Sequence, residues 1–278
     1  MAQFDGDVVW ITGAAGGIGS AAARRMASLG ARLLLSDAGV DVGGAAEGPA
    51  RLDALVAELK AAGHQVVGVH AAAHVAGDVS RTLTAGLDAF GRLDALVTAA
   101  GLDLDATLFR TELDAFSRVV DTQVLGTFLP AQAAAKQMIA QKEGGRIVTL
   151  SAASGLLGQF AQVAGATAAS AVLGMSRTLA VELQRHEIVV NTLVPLAKTR
   201  MTAHLPVFEN VDTMLPEHVA PAVSFLASKA VGTRTGHTLG AAGARLYAFK
   251  LVESHGKFKD GEPWEESEIA EHWSSILK

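Results

Sequence analysis

The sequence predicts an α/β protein whose parallel sheet is covered by helices on both faces. Short apolar runs alternate with stretches of helical periodicity from residue 7 to residue 229, a pattern typical of βαβ units. The segments between successive apolar runs are too long for hairpins, so neighbouring strands should run parallel. Half of the residues are hydrophobic and only 5% are aromatic, which favours closely packed helices. We therefore expect a doubly wound sheet in a single domain.

Each element follows from a local pattern. The first strand is the apolar run 7–12, which ends in a cluster of glycines, and short apolar runs predict the other strands in the same way. Gly30 and Gly91 close two helical patterns, because glycine commonly ends a helix. The predicted strands are 7–12, 31–36, 65–70, 93–99, 146–150 and 188–194, and the predicted helices are 17–30, 51–62, 78–91, 111–141, 155–183 and 216–229.

The composition changes near residue 250. Residues 1–250 carry the alternating pattern without an internal repeat or a linker, and they should form one domain. Residues 251–278 are charged and contain two of the three tryptophans. We expect this C-terminal extension to form an appended helix that lies on a neighbouring segment or across a subunit interface.

Charge and composition argue against several function classes. The formal net charge of −5 disfavours nucleic-acid binding, which needs clustered Lys and Arg. The absence of cysteine excludes disulfides, thiol catalysis and thiolate metal sites. His70 and His74 have the spacing of helical metal ligands, but they fall at a strand end with no carboxylate beside them. No metal site is therefore expected.

The sequence shows neither a secretion-signal pattern nor an apolar run of membrane-spanning length. Asp5 and Asp7 stand where a secretion signal needs positive charge. No uninterrupted apolar run reaches the length of a membrane span. We expect a cytoplasmic protein without membrane contact.

A glycine-rich turn lies between the first predicted strand and the first predicted helix. Such a turn lets backbone N–H groups approach a pyrophosphate at the helix N-terminus. Asp37 ends the second strand, where a carboxylate accepts hydrogen bonds from ribose hydroxyls and repels a 2′-phosphate, so NAD is favoured over NADP. The alternative is that the glycines are only turn residues and Asp37 is a helix cap. The predicted cofactor-binding residues of this Rossmann-type site are Thr12, Gly13, Gly17, Ile18, Gly19 and Asp37.

The turn TGAAGGIG (12–19) resembles the TGxxxGIG motif of the short-chain dehydrogenase/reductase family. Further similar segments are TAAG (98–101), where the family usually has NNAG, GRIV (145–148), RTLAVEL (177–183) and VNTLVP (190–195). The resemblance implies that residues 1–250 form a nucleotide-binding domain. It adds Ala100 and Gly101 to the expected cofactor-binding residues.

Longer segments are similar to the hydroxyacyl-CoA dehydrogenase part of multifunctional β-oxidation enzymes. They are LDAFGRLD (87–94), SGLLGQFAQ (154–162), and RMT followed by LPEHVAPAVSFL (200–202 and 215–226). This resemblance implies an acyl-CoA-type small molecule as ligand and a homologous subunit as partner in a dimer or tetramer. Small residues along the helix 155–183 permit close helix packing, although an alanine-rich composition alone would give the same pattern.

The catalytic residues of the family are absent from the matching positions. The family moves a hydride with a Tyr acid/base, a Lys that lowers the Tyr pKa, a Ser that holds the substrate oxygen and an Asn that maintains a proton-relay water. The acidic residue after the third strand is also replaced, by His74 or a neighbouring alanine, and the sole tyrosine, Tyr247, lies beyond the last predicted strand. The Tyr, Lys, Ser and Asn positions hold Gly165, Ala169, Ala152 and Gln123, respectively.

These observations favour a catalytically silent family member, a structural or regulatory subunit paired with an active homologue that resembles a 3-hydroxyacyl-CoA dehydrogenase. One alternative is an NAD(H)-sensing binding module, and another is a residual NAD-dependent oxidoreductase with an unrecognised proton donor. A third alternative is a lyase, isomerase or cyclase that uses the emptied pocket, with Ser151, Ser154, Gln159 or His204 as its polar groups.

Two further carboxylates have two interpretations. Asp103 and Asp105 either form a carboxylate pair at the pocket mouth or solvate a loop.

Overall fold

The computed structural model describes residues 3–208 and 213–278. The strands are β1 (Val8–Thr12), β2 (Arg32–Asp37), β3 (Val66–His70), β4 (Ala95–Thr98), β5 (Gly145–Leu150), β6 (Ile188–Leu196), β7 (Thr238–Ala242) and β8 (Arg245–Phe249). The helices are α1 (Gly17–Ser28), α2 (Ala50–Ala61), α3 (Ala76–Phe90), α4 (Leu113–Val120), α5 (Gly126–Gln141), α6 (Ser154–Leu157), α7 (Val163–Leu183), α8 (Pro216–Ala227) and α9 (Glu266–Ile276).

The strands form one sheet in the order β3-β2-β1-β4-β5-β6-β7-β8. Strands β1 to β7 pair in parallel, which confirms the predicted doubly wound α/β fold. The strand order reverses at β1, and such a reversal opens a crevice outside the carboxyl ends of the strands. Thr12 of β1 lies opposite Ser36 and Thr98, so three strands end at the same level beneath this crevice.

The core lies on both faces of the sheet because strand side chains alternate between them. In β1, Val9 and Ile11 pack with α1, α2 and α8 on one face. Val8 and Trp10 pack with α3, α5 and α7 on the other face. The Trp10 indole is fully buried, and its Nε1 donates a hydrogen bond to Ser36 Oγ at 3.0 Å. The central strand is therefore covered by apolar side chains from two helical layers.

The stretch predicted as one long helix over 111–141 is helical from Leu113 to Gln141, but a π-helical turn, Asp121–Leu125, divides it into α4 and α5. Pro130 stands inside α5, where it has no N–H for the carbonyl of Gly126 and its ring crowds that carbonyl. The regular helix is thus weakened next to the π-helical turn.

Two further predictions are corrected at the C-terminal half. The helix predicted over 155–183 breaks at Gly158, whose φ of +71° cannot continue a right-handed helix, and α7 starts only at Val163. The sequence pattern does not predict β7 and β8. Strand β7 is short and rich in glycine and alanine, and β8 follows it directly. Gly243, with φ +54°, supports the tight connection between them. Tyr247 therefore lies on a strand.

The described chain divides into two compact units, one ending at Ala248 and the other formed by Phe249–Lys278. In the second unit, Lys259 Nζ lies 2.5 Å from Glu268 Oε2, and Trp264 stacks edge-on against His272 at 5.8 Å. Glu268 also accepts a hydrogen bond from the backbone of Glu265 at the start of α9. The expected interface role of residues 251–278 stays a prediction. Of the helices that the structure describes, none has the length and apolarity to cross a bilayer.

Candidate functional site

The glycine-rich turn connects β1 to α1 and packs against the loop after β4. Gly13 has φ +62°, and a Cβ there would lie 2.5 Å from the backbone nitrogen of Ala100. A side chain at Gly19 would collide with the carbonyl oxygen of Gly13. Thr12 is fully buried beneath the turn, and its Oγ1 accepts a hydrogen bond from Ala99 N at 3.3 Å. The glycines therefore bring the two loops together and leave the backbone exposed at the N-terminus of α1.

The Asp37 carboxylate is fixed at the end of β2 by two backbone amides. Its Oδ2 accepts from Ala15 N and its Oδ1 from Gly39 N, both at 2.9 Å. Ala15 precedes the first turn of α1, so Asp37 is not an N-cap of that helix. Each oxygen keeps a further lone pair, which leaves the carboxylate able to accept hydrogen bonds from ribose hydroxyls.

A cleft of about 290 Å³ opens above these residues. Its walls are the glycine-rich turn, the ends of β2 and β3, the loop after β4, the π-helical turn and the segment 199–201. Of the predicted cofactor-binding residues, all but the buried Thr12 line it: Gly13, Gly17, Ile18, Gly19, Asp37, Ala100 and Gly101. Their role in binding a cofactor stays a prediction, but the fold brings them to one surface.

The sequence analysis missed one wall of the cleft, the loop after β2. Asp41 Oδ1 accepts from Gly43 N at 2.9 Å and from Ala45 N at 2.8 Å. Val42 O accepts from Asp103 N at 3.0 Å, which ties this loop to the loop after β4. An Asp followed by glycines signals such an Asx turn, but only the fold shows that it faces the cleft.

The four positions that match the family's catalytic residues lie outside the lining of the cleft. Ala169 is buried, and Gly165 lies in the first turns of α7, where a Cβ would approach Gln162 Oε1, at 3.8 Å, and no other atom of the described ranges within 4 Å. Gln123 Nε2 donates to Leu102 O at 3.0 Å. The start of α7 therefore has room for a side chain at Gly165, and the chain provides none.

The candidate polar groups near these positions lie in different environments. Ser151 Oγ donates to Ala169 O at 3.0 Å. Ser154 Oγ is buried without a hydrogen-bond partner among the described residues. Gln159 and His204 are exposed and do not line the cleft. The structure therefore does not assemble these residues into one acid/base set.

The sole tyrosine is not part of the cleft lining. The Tyr247 ring packs over Gly240 of β7, where a Cβ would collide with it. The Arg245 guanidinium lies 4.5 Å from the ring centroid. These contacts give Tyr247 a packing role at the β7–β8 edge.

The structure favours a carboxylate pair over a loop-solvating role for Asp103. Burial, followed by the hydrogen bond and the charge of Asp105, raises the pKa of Asp103 to about 7. Asp105 Oδ1 accepts from Gln162 Nε2 at 2.9 Å. The two carboxyl groups thus form a pair, which is connected through Gln162 to the start of α7.

His70 and His74 lie in different environments, and the expectation that no carboxylate lies beside them is wrong for His70 because the fold brings Asp53 to it. His70 Nε2 lies 2.9 Å from Asp53 Oδ1 on the surface, whereas His74 lines the cleft. Across residues 3–208 and 213–278, no group of three or more His, Cys, Asp or Glu side chains is arranged to hold a metal ion.

This fold, with its cleft outside the carboxyl ends of the strands, defines a protein of the Rossmann class. The family model described as short chain dehydrogenase matches residues 7–209, and the chain belongs to that family. Members of the family generally bind NAD(P), and the fit of the glycine-rich turn and Asp37 to such a cofactor agrees with this.

Individual relatives support the same assignment. The chain is 35% identical to the mouse peroxisomal multifunctional enzyme type 2 over 81% of this chain and 30% of that protein. It is 32% identical to a 3-oxoacyl-[acyl-carrier-protein] reductase of Synechocystis over 88% of this chain and 99% of that protein. A short chain dehydrogenase of Mycobacterium avium superposes with a TM-score of 0.87 at 29% identity, covering 100% of this chain and 96% of that structure.

The chain spans only 30% of the length of the mouse and Neurospora crassa multifunctional relatives. Their names describe whole proteins, and the peroxisomal location in those names is a property of the relatives. The cytoplasmic location expected for this chain stays a prediction.

Proposed function

We propose that this chain binds NAD in the cleft but does not perform the family's hydride transfer by itself, and that it serves as a structural or regulatory subunit. The observation that carries this proposal is Gly165. It occupies the position that matches the family's acid/base, and among the residues that the structure describes no titratable group lies within contact distance of a Cβ there. The nearest side-chain atom is the amide oxygen of Gln162, which cannot exchange a proton near neutral pH.

The neighbouring positions do not supply the missing chemistry. An acid/base works best when its pKa lies near the operating pH, and a nearby cation is what lowers a tyrosine pKa toward that range. Ala169 provides no cation, and Ala152 provides no hydroxyl. The amide of Gln123 is held by Leu102 O. Hydride transfer would therefore lack both the proton donor and the group that adjusts its pKa.

The charges that line the cleft favour NAD over NADP. Asp37 and Asp41 both line it, and a 2′-phosphate beside them would meet like charge. Arg118 and Arg200 also line the cleft, but Arg118 pairs with Asp114 at 3.1 Å and Arg200 with Glu47 at 3.3 Å. These pairs reduce the positive charge that is available to a phosphate.

The outer face of α7 supports a subunit role. Its exposed residues are mostly small and repeat at helical spacing: Thr167, Ser170, Ala171, Gly174 and Thr178. Small side chains let a second helix approach closely. We propose that this face packs against a homologous, active subunit.

The proposal is tested by rebuilding the site. The unmodified chain should show no NAD-dependent turnover of 3-hydroxyacyl-CoA or 3-oxoacyl-CoA thioesters, a substrate class chosen because of the relatives' names. The combined variant Gln123→Asn, Ala152→Ser, Gly165→Tyr and Ala169→Lys should show turnover above background, measured by NADH absorbance. A matched control replaces Gly165→Tyr by Gly174→Tyr, because Gly174 lies on the same helix and no atom of the described part of the chain lies within 4 Å of its Cβ position.

Turnover by the unmodified chain would contradict the silent assignment. The raised pKa of Asp103 then favours a second candidate, an NAD-dependent oxidoreductase in which Asp103 donates the proton. Asp103 is linked to the start of α7 through Asp105 and Gln162. Loss of that turnover in Asp103→Asn, with folding retained, would support this second candidate.

A further inference from the structure

The cleft lining includes a carboxylate, Asp121, to which the family's motifs assign no role. We propose that Asp121 accepts a hydrogen bond from the 6-amino group of adenine and so selects an adenine nucleotide over a 6-oxo purine nucleotide. The inference rests on the proposed function, because it assumes that the cleft binds a dinucleotide. It assigns the recognition of the base to a residue of the π-helical turn.

The position of the ribose determines where the base lies. Asp37, the expected ribose ligand, pairs with His70 in the parallel register of β2 and β3. A base attached to that ribose extends beyond the carboxyl ends of these strands. Ala71, Ala73 and His74 follow β3 and form one wall there, and Asp121 and Thr122 belong to the same lining.

The π-helical turn aims Asp121 at that wall. Gly126 N donates to Asp121 O across the turn, and residues joined by such an i→i+5 bond lie nearly above one another. A Cβ at Gly126 would lie 3.5 Å from Ala73 Cβ and 3.8 Å from His74 N. The helix face that carries Asp121 therefore faces the segment after β3. Single π-helical turns are frequent at functional sites.

The hydrogen-bonding capacity of Asp121 is unused. Asp37 and Asp41 both hold backbone amides. Within the two described ranges, no protein group donates a hydrogen bond to the Asp121 carboxylate or forms an ion pair with it. The carboxylate lines the cleft with its acceptor sites open to a ligand.

A carboxylate in this place distinguishes purines by the group at position 6. Adenine presents an amino donor there, whereas guanine and hypoxanthine present a carbonyl acceptor. An ionised carboxylate only accepts hydrogen bonds, so it binds the amino group of adenine and repels the carbonyl oxygen of guanine or hypoxanthine. The Thr122 hydroxyl both donates and accepts, and so it does not discriminate. From the strength of hydrogen bonds to charged groups, we expect a preference of about 10- to 100-fold.

The test compares NAD+ with nicotinamide hypoxanthine dinucleotide by calorimetric titration of the full chain. The unmodified chain should bind NAD+ at least about 10-fold more tightly. In Asp121→Asn the side-chain amide can donate as well as accept, so the two affinities should converge to within about 3-fold. Asp88→Asn, the same charge change at an exposed position on α3, is the matched control and should keep the preference.

The outcomes separate this inference from the proposed function. Equal binding of the two dinucleotides by the unmodified chain, or an undiminished preference in Asp121→Asn, overturns the role of Asp121 and leaves NAD binding intact. Binding of neither dinucleotide overturns the proposed function and this inference together. Asp121→Ala gives the same comparison if the Asn variant does not fold, and it should lower the affinity for NAD+ alone.

Discussion

The acidic residues around the cleft differ in what their oxygen atoms already bind. Asp37 holds the glycine-rich turn through Ala15 and the next loop through Gly39. Asp103 is half-buried beside Asp105, and its pKa is raised to about 7 by burial and by that neighbour. The same residue type therefore acts as a rigid hydrogen-bond acceptor in one place and as a group that titrates near neutral pH in another.

Asp37→Asn should weaken NAD+ binding and narrow its preference over NADP+. The Asn side chain lacks the negative charge that repels a 2′-phosphate. Its NH2 group cannot accept a hydrogen bond, so one of the two bonds from Ala15 N and Gly39 N is lost. We expect the ratio of the two affinities to fall by about 10-fold, as measured by calorimetry. An unchanged ratio would show that another group selects the cofactor.

Asp103 should make the free energy of unfolding depend on pH. Its pKa is higher in the folded state than in the unfolded chain, so its contribution is fully present below about pH 4 and is lost as the pH rises through about 7. Solvent screening at this half-buried carboxyl limits the effect to about 1 kcal/mol. In Asp103→Asn the free energy of unfolding, measured with denaturant, should depend less on pH between these two values. An unchanged pH dependence in the variant would contradict the raised pKa of Asp103.

At the scale of elements, the close approach of the glycine-rich turn to the loop after β4 decides the shape of the cleft. Gly13→Ala places a Cβ at positive φ and 2.5 Å from the backbone of Ala100. We expect a loss of about 2 kcal/mol or more in the free energy of unfolding, measured with denaturant.

The matched control for Gly13→Ala is Gly174→Ala in α7. A Cβ at Gly174 would meet no atom of residues 3–208 and 213–278 within 4 Å, and alanine is the better helix former. This variant should gain about 0.5–1 kcal/mol. Equal effects of the two substitutions would contradict the packing described for the turn.

At the scale of the whole molecule, the chain keeps the fold of its family while the start of α7 carries no acid/base. The sheet, the two helical layers and the cleft are all present. The exposed face of α7 consists mostly of small residues, and we propose that it packs against a second subunit.

Co-expression with an intact homologue should therefore give a mixed oligomer. Size-exclusion chromatography with light scattering, followed by mass spectrometry of the assembly, would identify both chains in one species. A bulky exposed substitution, Gly174→Trp, should weaken the mixed assembly because it separates closely packed helices. Persistent homo-oligomers of each chain under the same conditions would count against the subunit role.

The sequence alone was sufficient for the properties that depend on local patterns. Apolar runs and helical periodicity predicted β1 to β6, because these elements are buried in a parallel sheet and carry its pattern directly. The glycine-rich turn and Asp37 were recognisable since the backbone conformation and the acceptor are properties of single residues. The hypothesis that Gly165 and Ala169 stand in place of the family's Tyr and Lys likewise rests on residue identities.

Only the tertiary structure decided the properties that depend on packing between distant segments. Strands β7 and β8 carry too weak a pattern to be predicted, and they exist because β6 provides an edge for β7. The pKa of Asp103 depends on its burial beside Asp105, and the direction of Asp121 depends on a π-helical turn next to the segment after β3. Burial and contact are determined by the whole chain at once, whereas periodicity and residue type are written into each short segment.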